Sequence, residues 1–457
     1  MKKLKYLILL IILFSLLGCR RVNIASHTHL AVSKSYDELE HYDVCSCGEI
    51  FNRESHSFQG EMCSCGYDKY ESNFYYDEDN KIVGIKESVA ELHIPKSHNG
   101  NEVVEIKANC FGNLKSLTTL YLSSSIKKIN DDAFIGCENL DSVFYYGNVS
   151  DWCNIEFTNI YANPMMCGTS FYFWDNDRFS LLDELNIPSD ITKIENTFCG
   201  FSNITKATIS DSLEEIGENS FYNCISLTNI EFGKNIINIG KNAFYNCRKL
   251  KEISFGDNVN NIGEFAFYGC TSLQKLTFDK NIKNIFNFAF AECNSIKDIY
   301  YNGSINDWLL ISFEVEANPI RYASSFYYLE NENYVKLVDL IISDDITKIG
   351  NYQFYGYQGL KTVLMKNVLE IGNDAFNNCI NLTVVDTTTK LKVIGDRAFM
   401  KCISLKAFEL SNNIVSLGNR VLYGTSSLEK LIVPSGFSIG VLFDGNVPAS
   451  LNEVIYK

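Results

Sequence analysis

Hydrophobic residues recur at fixed places down most of this chain. Phenylalanine stands at 111, 134, 198, 221, 244, 267, 290, 354, 376 and 399, and Leu422 takes the next slot. The interval is 23 residues, once 22, and twice 64, which is one period plus an insertion of 41. Six residues after most of these positions, Leu or Ile opens an alternating run. In one such run Leu250, Ile253 and Phe255 are separated by Lys251, Glu252 and Ser254. Alternation of this kind predicts a short strand with one face turned inward. Related runs begin at Leu117, Leu140, Leu227, Leu273, Leu360, Leu405, Leu428 and Leu451. No single unit buries its apolar face alone, so the pattern predicts coils stacked on one another.

The predicted fold class is a leucine-rich repeat solenoid with coils of about 23 residues, one long parallel β-sheet and two longer insertion coils. About sixteen coils at ~4.8 Å per strand make a rod or arc of roughly 75 Å. The insertions match each other: FYYGNVSDWCNIEF and ANPMMCGTSFYF in the first, IYYNGSINDWLLISF and ANPIRYASSFYY in the second. Trp152 corresponds to Trp308 and Pro164 to Pro319, which makes a larger repeat of about 155 residues. Each tryptophan is expected to staple its coil to the stack rather than form a ligand platform, and Asp151 and Asp307 to start a short helix.

Seven cysteines (137, 224, 247, 270, 293, 379 and 402) stand three residues after a ladder phenylalanine. A reactive thiol needs a base and an electropositive setting, which seven equivalent coils do not each supply. They are therefore expected as buried packing residues.

The N-terminus has different chemistry. MKKLKYLILLIILFSLLGC has a basic start, an apolar run too short for a comfortable membrane span, and a small residue before cysteine. It reads as an export signal over 1–18, and Leu16, Leu17, Gly18 and Cys19 resemble a bacterial lipobox. That resemblance implies diacylation of Cys19, a linker over 19–26, and a protein held to the outer face of a membrane. The C-terminus, LNEVIYK, carries no sortase-type signal, so attachment is expected to rest on Cys19.

Four of the six histidines fall before residue 57, among two C-x-C-G knuckles. Cys45, Cys47, Cys63 and Cys65, with His41, His56 and His29, offer donors for a structural zinc in a Cys/His-rich module over 27–70. A segment this short buries little core, so metal would supply its folding free energy. Oxidation would instead pair Cys45 or Cys47 with Cys63 or Cys65. An opening hairpin is expected over 71–90 and the solenoid over 91–457. His93 and His98 are read as turn and surface residues.

Together, the lipobox, the CSCG segment, NGNEVVEIKANCF, the IGxxAFxxCxxLxxIxF repeats and the YYxGxxxxW…ANP insertions resemble the BspA-like leucine-rich repeat surface proteins. The resemblance spans nearly the whole chain. It implies a lipoprotein solenoid on a bacterial surface, in a family associated with adhesion to host matrix proteins or other cells.

Net charge is −15, and loss of Lys2, Lys3 and Lys5 with the signal makes it more negative by three, which excludes nucleic acid as the expected partner. No histidine follows His98, and no nucleophile elbow or phosphate loop is present, so the chain is expected not to be an enzyme. A surface glycosidase built on a carboxylate pair stays as a remote alternative. The expected function is surface-anchored binding of a protein or glycoprotein on host or neighbouring cells through the sheet face. Tyr121, Phe144 and Tyr300, at outward strand positions, are the expected anchors. Alternatively they only stack across the sheet, and the chain is a passive coat or spacer.

Overall fold

A computed structural model describes residues 31–36, 40–45, 50–55, 58–59, 62–63, 69–175 and 178–457. The chain divides into two units, 1–72 and 73–457. In the first, Ala31–Tyr36, Glu40–Cys45 and Ile50–Ser55 form an antiparallel meander, and Phe58–Gln59 pairs with Met62–Cys63.

The second unit opens on the antiparallel pair Phe74–Tyr76 and Ile82–Ile85. From there each coil supplies a strand to a parallel face. Thr119–Leu122 lies between Glu91–His93 and Ser142–Tyr145, with Leu120 opposite Leu92 and Val143. Leu120 and Val143 are fully buried while Tyr121 and Phe144 point outward, which is the alternation read from the sequence.

Each regular coil also carries a second strand of two residues, such as Asn238–Ile239, Asn261–Ile262 and Asn284–Ile285. These pair in parallel as a second ladder. Two residues are too few to register as a strand pattern, so sequence reading passed over them. Their isoleucines are buried, and their asparagines hydrogen-bond from coil to coil, Asn284 Nδ2 to Asn261 Oδ1 and Asn261 Nδ2 to Asn238 Oδ1, both at 2.8 Å. Where a glycine follows the isoleucine, as at Gly240 and Gly263, it lies against the preceding coil: a Cβ on Gly263 would come within 2.7 Å of the Gly240 carbonyl carbon.

The phenylalanine wall closes the coil. Phe221, Phe244, Phe267 and Phe290 stack nearly parallel, with centroids 5.2, 5.1 and 5.2 Å apart. Residues two before and two after the phenylalanine take positive φ, as at Asn242 (53°) and Asn246 (64°) around Phe244. Asn and Gly tolerate this region better than other residues, which accounts for the NC and GC endings of the motif.

The two insertions change the ladder. Each holds a five-residue helix, Val149–Cys153 or Ile305–Leu309, started by a capping box with Asp151 or Asp307. Each then ends in an antiparallel hairpin, Ser170–Asp175 with Arg178–Leu181, and Ser325–Glu330 with Asn333–Lys336. The parallel face runs as five hydrogen-bonded segments rather than one uninterrupted sheet: two of the four breaks fall at the hairpins, whose returning strands turn against the ladder direction, and two between regular coils, after Asn229–Glu231 and after Val384–Asp386. Trp152 and Trp308 are buried within the insertions, edge-on to Tyr145 and Tyr301 respectively. Trp152 Nε1 donates to the Thr197 carbonyl at 2.8 Å, stapling its coil to the next. In the second copy the tie runs the other way, from Gln353 Nε2 to the Trp308 carbonyl at 2.6 Å.

Candidate interaction face

The outward row of the parallel face is aromatic where it meets each insertion. His93, Tyr121, Phe144 and Tyr172 stack across four successive strands, with centroids 4.1, 4.9 and 4.7 Å apart. The hairpin that follows Tyr172 brings Phe179 edge-on to Phe144 at 4.9 Å, and Trp174 edge-on to Phe179 at 4.9 Å. The second insertion repeats the arrangement. Tyr300 stacks on Tyr327 at 4.8 Å, and Tyr334 stands edge-on to Tyr300 at 5.1 Å, its hydroxyl bonded to Asn302. The Lys275 ammonium sits 5.2 Å from the Tyr300 ring centre.

The three anchors expected from sequence are thus not one cluster. Tyr121 and Phe144 are neighbours in the first stack, and Tyr300 belongs to the second. All three are half-buried, with ring faces engaged by neighbours, so stacking takes much of the surface they were expected to present. The rings more open to solvent are on the hairpins, Trp174 at 39% and Tyr334 at 46% exposed. Sequence reading missed Tyr172, Trp174, Phe179, Tyr327 and Tyr334 because it took each insertion as a longer coil. Alternation in NYVKL after the Asn331 turn is the signal that marks the returning strand. His93 and His98 are also more than surface residues: His93 ends the first stack, and His98 stacks on Tyr76 at 3.7 Å.

The ladder cysteines are buried free thiols with a specific bonding role. Each of the seven donates S–H to the carbonyl of the ladder phenylalanine one coil earlier, Cys247 to Phe221 at 3.2 Å and Cys270 to Phe244 at 3.3 Å among them. Burial pushes the Cys137 thiol up to about 11 and that of Cys247 well above the ordinary value. Protonated, shielded thiols of this kind are poor nucleophiles.

Of the zinc donors expected in the first unit, His41 and Cys45 lie on the strand Glu40–Cys45, and Cys63 on Met62–Cys63. His29, Cys47, His56 and Cys65 lie outside the described residues, as does Cys19.

A coil of two strands and a stacked wall, repeated about every 23 residues, defines a parallel solenoid of the leucine-rich repeat class. The BspA type leucine rich repeat region, in 6 copies, matches residues 104–226, 192–317 and 325–441, and the chain belongs to this family. No curated protein matches the chain. A leucine-rich repeat protein from Bacteroides ovatus is 18% identical with a TM-score of 0.46, over 84% of this chain and 97% of its own. A leucine rich cell surface protein from Faecalibacterium prausnitzii is 17% identical with a TM-score of 0.42, over 88% and 95%. The pneumococcal vaccine antigen PcpA is 16% identical with a TM-score of 0.36, over 94% and 88%. Among the described residues no helix is long and apolar enough to cross a membrane.

Proposed function

We propose that this chain is a binding module displayed on a bacterial surface, and that it takes a protein or glycoprotein of a host or neighbouring cell on its sheet face. The observation that carries the reading is the pair of aromatic clusters, each built on an outward stack and topped by a hairpin with an exposed ring, Trp174 or Tyr334. Aromatic side chains held rigid by neighbours make efficient interface anchors, because little rotamer freedom is lost on binding. Leucine-rich repeat solenoids generally serve protein recognition, and repeat proteins of this family are typically not enzymes. The full chain, labelled and applied to an array of matrix proteins, mucins and glycans, should retain a saturable ligand. Absence of any ligand would leave a passive coat.

Display rests on acylation of Cys19. Mass spectrometry of the membrane fraction should find diacylated Cys19 as the first residue, and a soluble chain starting elsewhere would overturn the anchor. The N-terminal meander is read as held by one structural zinc drawn from Cys45, Cys47, Cys63 and Cys65 with His56, His41 or His29. Elemental analysis of protein purified under reduction should give about one zinc per chain. Metal-free protein with bridges among the four cysteines would favour disulfides.

A further inference from the structure

The first and last strands of the parallel face are covered differently. At the first, Glu91–His93, the inward residue Leu92 and the following Ile94 are buried. The last, Glu453–Tyr456, pairs on one side with Lys430–Val433 and borders no described strand on the other. Its inward residues Val454 and Tyr456 lie opposite Leu431 and Val433, which are fully buried one coil earlier. Val454 itself is only half-buried, and Tyr456 is 53% exposed. Val441 and Val447 of the same coil are exposed as well. Core positions therefore stand open along this edge, and an open strand edge is a template for another strand.

The hydrogen-bonding phase of the edge is fixed. The N–H groups of Glu453 and Lys457 donate back to the carbonyls of Glu429 and Val433, and the Lys457 carbonyl accepts from Ser435. Alternation along the strand turns the N–H and C=O of Val454 and Tyr456 to the open side. An antiparallel partner bonds through these two residues. When that partner is the same strand of a second copy, Val454 meets Tyr456 in two reciprocal pairs and Ile455 lies on the two-fold axis, facing its own copy. Glu453 then stands opposite Lys457 on both sides of the axis. Shifting the pairing by two residues in either direction loses both charge pairs. The segment EVIYK is thus complementary to itself, with opposite charges at its ends and apolar residues between. Glu453 already contacts Lys430 at 2.9 Å and Lys457 contacts Glu409, so each cross-pair joins two ion pairs into a row of alternating sign.

We infer that this chain forms a two-fold dimer in which Glu453–Tyr456 pairs antiparallel with its copy. The axis stands normal to the sheet, so the inward residues of the two final strands share one core that covers Tyr456. The outward rows of both copies turn to the same side, which doubles the aromatic clusters offered to a ligand.

Sedimentation velocity of the full chain, dispersed in a non-ionic detergent, tests it. The parent chain should pass from monomer to dimer between about 1 and 100 μM, the range of a small interface. Glu453→Lys sets lysine against Lys457, Lys457→Glu sets glutamate against Glu453, and each should weaken the dimer at least tenfold. An equimolar mixture of the two variants should regain it, because every cross-pair is again of opposite sign, and misfolding gives no such rescue. Ile455→Cys, oxidised with copper phenanthroline, should yield a disulfide-linked dimer that the parent chain does not, since facing Cα atoms at such a pair lie about 4.5 Å apart. A monomer throughout that range, a dimer indifferent to the single charge reversals, a mixture that does not recover, or no cross-link on the axis would overturn the assignment.

Discussion

Cys247 and Phe244 share one turn of the coil but contribute differently to it. Phe244 is fully buried and stacked between Phe221 and Phe267. Emptying such a site costs about 3 to 5 kcal/mol. Cys247 fills a small space and makes one weak S–H bond at 3.2 Å, so its change to alanine should cost about 1 kcal/mol. Urea unfolding of Phe244→Ala and Cys247→Ala should show that order, and equal, severe losses would point to a thiol function. The sequence made the burial of these cysteines legible, because seven copies in one slot argue against seven active centres. It did not disclose the acceptor, the carbonyl of the phenylalanine one coil back, since coil-to-coil register is a property of the stack. The exposed rings of the interaction face were likewise hidden: outward position in a strand says which way Tyr121 points, not that Phe144 covers its face.

At the scale of the coil, backbone conformation and charge fix the turns. Lys401 stands two residues after Phe399, in the slot that Asn, Gly and others fill elsewhere, with φ of 59°. A left-handed lysine carries strain of about 1 kcal/mol, so Lys401→Gly should leave stability unchanged or raise it by up to about 1 kcal/mol. Melting of that variant checks it, and a clear loss would mean that the lysine side chain holds the turn. Near the start of the solenoid, Glu105 joins three coils through the amide of Asn130 and the ammonium groups of Lys107 and Lys81. Desolvation pushes its carboxyl up, but hydrogen bonds from Lys107, Asn130 and Lys81 outweigh it and hold the carboxyl down to about 2. A value below the unfolded one, about 4.3, adds stability at neutral pH that is lost as pH falls from there towards 2. Glu105→Gln should therefore flatten the fall in melting temperature across that window, and an unchanged slope would contradict the assignment. Sequence pattern shows the long strands and the phenylalanine wall, but not this second ladder, where two-residue strands are defined by their partners.

Across the whole molecule, the repeats build a scaffold and the insertions break its regularity where exposed aromatic rings collect. The repeat length, the family and the correspondence of Trp152 with Trp308 were open to sequence reading because each is a matter of spacing. The hairpins were not, because their strands pair back on the chain and reverse the ladder. That changes which residues are the right ones to test. Serine at Tyr121, Phe144 and Tyr300 would remove stacked, half-buried rings and disturb the face itself. Serine at Trp174 and Tyr334 removes the more exposed rings, and the ladder beneath should stay folded. The most direct measurement is the dissociation constant of this double variant for the ligand found on the array, with melting compared against the parent chain. The account predicts at least a tenfold weaker complex with little change in melting. An unchanged dissociation constant in the folded variant would contradict it.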